Sequence, residues 1–134
     1  MGEATMAREA QELANLAHVL AMYEHVLIAL DSSRVDEFIA PGYIQHSSLA
    51  EPGVQALKDW LDARRLDSPD ARQTIHRSFA DGDHVVVHVH VVRFPGDPGI
   101  AVVDIFRLAD GMIVEHWDVL QEIPADPVNP NSMF

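Results

Sequence analysis

The 134 residues include no cysteine, which rules out disulfides and thiolate nucleophiles. Positive charge is scarce: nine Lys and Arg stand against 21 Asp and Glu, a formal net charge of -12. A chain of that sign has no footprint for a phosphate backbone and is repelled by anionic lipid. Neither nucleic acid nor a membrane surface is therefore an expected partner. Long apolar runs are missing too. The most hydrophobic window, Leu13 to Leu30, is interrupted by His18, Glu24 and His25, which suits a packed amphipathic helix and not a membrane span. The opening MGEATMAREA lacks the apolar core of a secretory signal, and a cytoplasmic setting is expected. No Ser-centred elbow, Gly-rich phosphate loop or Cys/His zinc cluster occurs. Carboxylate and imidazole chemistry remains.

What is present is 48% hydrophobic, enough for one core and one domain over residues 1–134, with irregular termini at 1–7 and 123–134. Leu13, Leu16, Ala17, Leu20, Tyr23, Leu27 and Leu30 recur at helical spacing and predict a long helix from about Arg8 to Leu30. Asp31-Ser32-Ser33 caps a short second helix through Phe38, which Pro41-Gly42 stops. Tyr43 to His46 is a short strand, and Pro52-Gly53 opens a third helix from Val54 to about Arg65. The period then changes to two. Arg72 to Phe79 and His84 to Phe94 form one hairpin around Ala80-Asp81-Gly82; Ile100 to Gln121 forms another around Ala109-Asp110-Gly111. Helices first and an antiparallel meander second is an α+β order. The proline-bearing tail from Ile123 is expected to be extended and to lie on a partner subunit.

The last hairpin carries the chemistry. A three-residue loop closed by a glycine bulge would set Leu108 opposite Met112 and Asp104 opposite His116. Asp104, His116 and Asp118 then share a face with Val102, Phe106, Val114 and Leu120. Acids and a histidine among large apolar side chains suit a pocket; a face meeting water or a second subunit is the alternative. Two carboxylates in an apolar site push their pKa values apart, which gives one base and one proton donor. His46 or His116 supplies the third titrating group. Tyr23, Trp60 and Trp117 read as packing that can also line a cavity. The opposite face, with Arg107, Glu115, Trp117 and Gln121, has the mixed character of a homodimer interface.

His88 and His90 lie two apart on a strand, a recurring metal-ligand spacing. Alternation nevertheless gathers Ile75, Phe79, Val85, Val87, Val89 and Val91 on the apolar face and leaves Thr74, His76, Ser78, His84, His88 and His90 on the open one. No metal is expected, unless a strand bulge reverses the faces.

Several strings carry a resemblance: Tyr43-Ile44-Gln45-His46, Ala80-Asp81-Gly82-Asp83, Val103-Asp104-Ile105-Phe106-Arg107, Glu115-His116-Trp117-Asp118 and Asn129-Pro130-Asn131-Ser132-Met133-Phe134. In their order along the chain they resemble the SnoaL-like polyketide cyclase group of the nuclear transport factor 2-like superfamily. The resemblance implies a cone of three N-terminal helices on a strongly curved, mostly antiparallel sheet, also described as cystatin-like. It implies Asp118 as acid/base in an aldol-type cyclisation and Asp104 as hydrogen-bond donor to an oxyanion. His46, where related isomerases carry their base, would be a second base or would orient substrate. The expected activity is a lyase or isomerase acting on a small hydrophobic or ring-shaped carbonyl compound, with His116, Phe106, Tyr23, Trp60, Val102 and Leu120 lining the site and no cofactor. A non-catalytic binding module and epoxide-type water activation are the alternatives.

Overall fold

The computed structural model describes residues 2–134. Helix α1 spans Gly2–Met22 and runs on into a π-helical turn, Tyr23–Ile28. Leu30, at φ 51°, ends it, and the Asp31 N–H reaches back to the Val26 carbonyl at 3.0 Å. A 3₁₀ turn, Ser32–Glu37, starts at Asp31, whose side chain accepts the Ser33 N–H at 3.0 Å, as the sequence predicts. Then come β1 (Ile39–Gln45), α2 (Val54–Asp67), β2 (Arg72–Asp81), β3 (His84–Val92), β4 (Ile100–Ala109) and β5 (Met112–Glu122). The sheet order is β1-β5-β4-β3-β2, antiparallel except for the parallel β1/β5 pair. This is the α+β architecture of helices on a mostly antiparallel sheet. No helix among the described residues is long and apolar enough to cross a membrane.

Several boundaries differ from the sequence reading. Residues 2–7, expected to be irregular, are helical. Leu13 is 68% exposed, and the buried seam of α1 is Asn15, Val19 and Met22, continued by Tyr23, Val26 and Leu30. β1 passes through Pro41-Gly42 instead of starting after it, because the irregularity between Ile39 and Ile44 absorbs the missing proline donor.

The register of the last hairpin is corrected as well. Asp110 and Gly111 both have positive φ, 50° and 76°, which makes the turn a two-residue loop of the I′ kind between Ala109 and Met112. A bulge then leaves Val114 unpaired, turning Ile113 inward, and from Arg107↔Glu115 onward the strands are shifted by one. Two slips cancel in parity. The inner face keeps Val102, Asp104, Phe106, His116, Asp118 and Leu120, but Asp104 faces Asp118 and not His116.

A second bulge, at His76, changes the faces of β2: Phe79, expected in the core, pairs with Val86 on the outside and is 59% exposed. Val85, Val87 and Val89 are fully buried, leaving His84, His88 and His90 on the outer face. Inner rows therefore run Ser78, Val87, Asp104, Asp118, and next to them Ala80, Val85, Phe106, His116, Gln45. The core between this face and the helices holds Val19, Met22, Tyr23, Val26, Leu61 and Ile113. The tail lies on the outer face of its own sheet, where the Phe134 ring stacks on His76 and His90, each at 4.6 Å.

Candidate active site

Antiparallel pairing puts Asp104 and Asp118 directly opposite each other on the buried face, an arrangement that by itself is repulsive. The surrounding groups answer it. The π turn brings Tyr23, 1% exposed, over the sheet, where its hydroxyl donates to Asp104 Oδ2. Two residues along β5, across from Phe106, His116 places Nε2 2.8 Å from Asp104 Oδ1. Its ring stacks on Phe106 at 4.8 Å, and Phe106 meets the Tyr23 ring edge-on at 6.0 Å. The far ring nitrogen, Nδ1, lies 2.8 Å from Gln45 Oε1 at the end of β1.

Asp118 is different. Its Oδ1 is buried and has no hydrogen-bond partner among the described residues. A buried carboxylate oxygen without a donor is costly, which makes Asp118 the group in the cluster with capacity left for an incoming hydrogen. Burial raises the Tyr23 phenol well above its ordinary range; the charge of Asp104, the hydrogen bond to it and the charge of Asp118 push the same way. Tyr23 is therefore a phenol at neutral pH, a donor and never a base. Asp104 and His116 keep 12% and 14% side-chain exposure, so solvent reaches one side of the cluster. One ligand atom from each of Asp104, His116 and Asp118 lies within 4.8 Å of the others, a set that a divalent cation could use only by displacing the hydrogen between Asp104 and His116.

Of the residues singled out in the sequence, the structure gathers Asp104, His116, Asp118, Tyr23 and Phe106. Val102, 5% exposed, and Leu120 pair with each other on the same face, one row further on. It does not gather His46 or Trp60. The His46 side chain projects from the opposite face, 2.7 Å from Glu115 Oε2 and stacked on Trp117 at 4.9 Å. Its neighbour Gln45 takes the inward direction, as alternation along a strand requires. Trp60 is 45% exposed on α2, with the Arg64 guanidinium 6.0 Å above its ring. The sequence reading missed Gln45. The signal lay in the string Gln45-His46, which was read with the wrong residue pointing inward. Two surface grooves, of about 410 Å³ beside Leu13 and Phe79 and about 480 Å³ beside the tail, lie away from the cluster. On the outer face the Arg77 guanidinium donates to His88 Nδ1 at 2.5 Å and His90 Nε2 donates to the Pro98 carbonyl at 2.8 Å, so these histidines are engaged separately.

Comparison with solved structures places the fold. A candidate SnoaL-like polyketide cyclase from Jannaschia sp. CCS1 superposes with a TM-score of 0.67 at 21% identity, over 87% of this chain and 95% of that one. A candidate ketosteroid isomerase from Kribbella flavida gives 0.69 at 19% identity, over 88% and 85%. IdmH from Streptomyces antibioticus, a candidate polyketide cyclase, gives 0.65 at 20% identity, over 79% and 91%. These likenesses establish a nuclear transport factor 2-like fold. No curated protein matches the sequence. The family model described as the SnoaL-like domain matches residues 19–116, a span that runs from the buried seam of α1 through Tyr23, Gln45 and Asp104 to His116 in β5, and the chain belongs to that family.

Proposed function

We propose that the protein is a small-molecule lyase or isomerase that removes a proton next to a carbonyl and stabilises the resulting enolate, as in an aldol-type ring closure. The observation that supports this best is the unpartnered, buried Asp118 Oδ1 beside the hydrogen-bonded chain Tyr23–Asp104–His116–Gln45. Asp118, as carboxylate, takes the α-proton, and the C–H electron pair becomes the enolate. The enolate oxygen accepts a hydrogen bond from the proton shared by Asp104 and His116, while the Tyr23 hydroxyl donates to the other Asp104 oxygen. The enolate carbon then attacks a second carbonyl, and Asp118 returns its proton to the new alkoxide. Protons and electrons balance without a cofactor. The neighbours named as polyketide cyclase candidates support a ring-forming polyketide carbonyl compound as substrate class. His46 faces the other side of the sheet, and His116 takes its place in the cluster by sharing a proton with Asp104.

Deuterium incorporation next to the carbonyl of cyclic β-diketones and polycyclic ketones in D₂O, followed by NMR, tests the proton step without knowledge of the natural substrate. Asp118→Asn should slow exchange by about 10²–10⁴-fold, the usual contribution of a positioned acid/base group. Wild-type exchange in that variant, on a ketone the wild type accepts, would overturn the assignment and leave a binding module of the same fold.

A further inference from the structure

We infer that Gln45 is a positioning residue that holds His116 with its proton on Nδ1, and that it thereby puts one transferable proton between His116 and Asp104. One donor next to Gln45 has a fixed identity. The backbone N–H of Ser47 points at the Gln45 side chain at 3.0 Å, so the atom it meets must be the amide oxygen; a reversed amide would set two donors against each other. The other end of the amide, Nε2, faces the Tyr43 hydroxyl at 3.4 Å. The oxygen that accepts from Ser47 also lies 2.8 Å from His116 Nδ1, and an amide oxygen can only accept. Nδ1 must therefore carry hydrogen.

The consequence appears on the other side of the ring. With Nδ1 protonated, a neutral His116 presents a lone pair at Nε2, 2.8 Å from Asp104 Oδ1. Two lone pairs at that distance repel, so one further proton must sit between Nε2 and Oδ1. It is held either as carboxylic acid on imidazole or as imidazolium on carboxylate. Asp104 Oδ2 already accepts from Tyr23, so this shared proton is the one the pair can offer outward. Without Gln45 the ring could place its single hydrogen on Nε2 and donate to an Asp104 carboxylate, with no spare proton left. The strand end is pinned for this task from both faces: the His46 N–H donates to the His116 carbonyl at 2.9 Å, and the His46 ring is held by Glu115 on the outside. The significance for turnover rests on the proton-transfer reading; the position of the hydrogen does not.

Long-range ¹H–¹⁵N correlation on protein labelled with ¹⁵N-histidine reads the tautomer directly, His116 being assigned by its absence in His116→Gln. Wild type and Gln45→Glu, which keeps an acceptor, should show a protonated Nδ1. Gln45→Met, which has none, should show Nδ1 deprotonated and hydrogen on Nε2. If Gln45→Met does not fold, Gln45→Asn, whose oxygen falls short of the ring, should give the same shift. A bare Nδ1 in the wild type, or a protonated Nδ1 retained in a folded variant without the acceptor, overturns the inference. On a ketone the wild type exchanges, Gln45→Met should lower kcat by at least about tenfold with KM held, and Gln45→Glu should rescue it. If no ketone is exchanged, the function fails while the tautomer result stands.

Discussion

Replacing Tyr23 by Phe removes one oxygen from the buried cluster and leaves the ring packed on Phe106. Asp104 Oδ2 loses its donor in a place that is 1% exposed at the tyrosine and 9% at the aspartate. Removing one partner of a buried hydrogen bond costs about 1–3 kcal/mol, and for a domain of this size that lowers Tm by roughly 4–12 °C. The pH dependence is the sharper test. Burial, reinforced by Asp104 and Asp118, raises the folded-state pKa of Tyr23. The native protein therefore keeps a proton that the unfolded chain releases above about pH 10. The tyrosine's contribution is fully present below that pH and is lost as pH rises through the folded value. Urea titrations of wild type and Tyr23→Phe between pH 8 and pH 11 should show a stability difference that is flat at first. It should then shrink by about 1.4 kcal/mol per unit above pH 10. Tyr43, raised by its own burial, is present in both proteins and cancels. Equal stabilities, or a difference with no alkaline slope, would show that the hydroxyl is not buried against a carboxyl group.

Three other parts of the fold give measurable outcomes. Gly99 has φ 94°, and a Cβ there would stand 2.4 Å from the Val91 carbonyl oxygen, so Gly99→Ala should cost more than the about 1–3 kcal/mol of the backbone conformation alone, measured by thermal unfolding. Asp97 accepts from the Arg93 side chain, from the Arg93 N–H and from the Gly99 N–H, which hold its carboxyl far below the usual range. Its stabilising effect is present above about pH 4 and lost as pH falls through the folded value, so Asp97→Asn should flatten the acid limb of the stability curve, and an unchanged limb would refute the assignment. On the outer face Phe79, Val86, Ile105 and Trp117 form one apolar row, with Val119, 68% exposed, in the next. We expect a homodimer through this face, split by Val119→Glu; a wild-type monomer in light scattering at micromolar concentration would refute it.

The gathering of Asp104, His116 and Asp118 is legible in the sequence because it depends only on parity. Side chains alternate, so any even change of register leaves the faces as they were. The loop reading was wrong, and the bulge at Val114 was invisible; together they shifted the pairing by two, moving Asp104 from His116 to Asp118 without turning either away from the core. Where only one bulge intervenes, as at His76 in β2, nothing cancels it, and Phe79 ends outside. The position of β1 could not be read at all. Its pairing with β5 is parallel and joins residues about seventy positions apart, and no local pattern says which of Gln45 and His46 faces inward. Chemistry favours histidine as the functional residue, and that preference selected the wrong neighbour. The physical criterion that decides is hydrogen bonding: the inward position lies 2.8 Å from His116 Nδ1 and needs an atom that can only accept. Glutamine meets that requirement. His46 turns to the outside, where its ring hydrogen-bonds Glu115 and, together with Arg107, holds that carboxyl below its usual range.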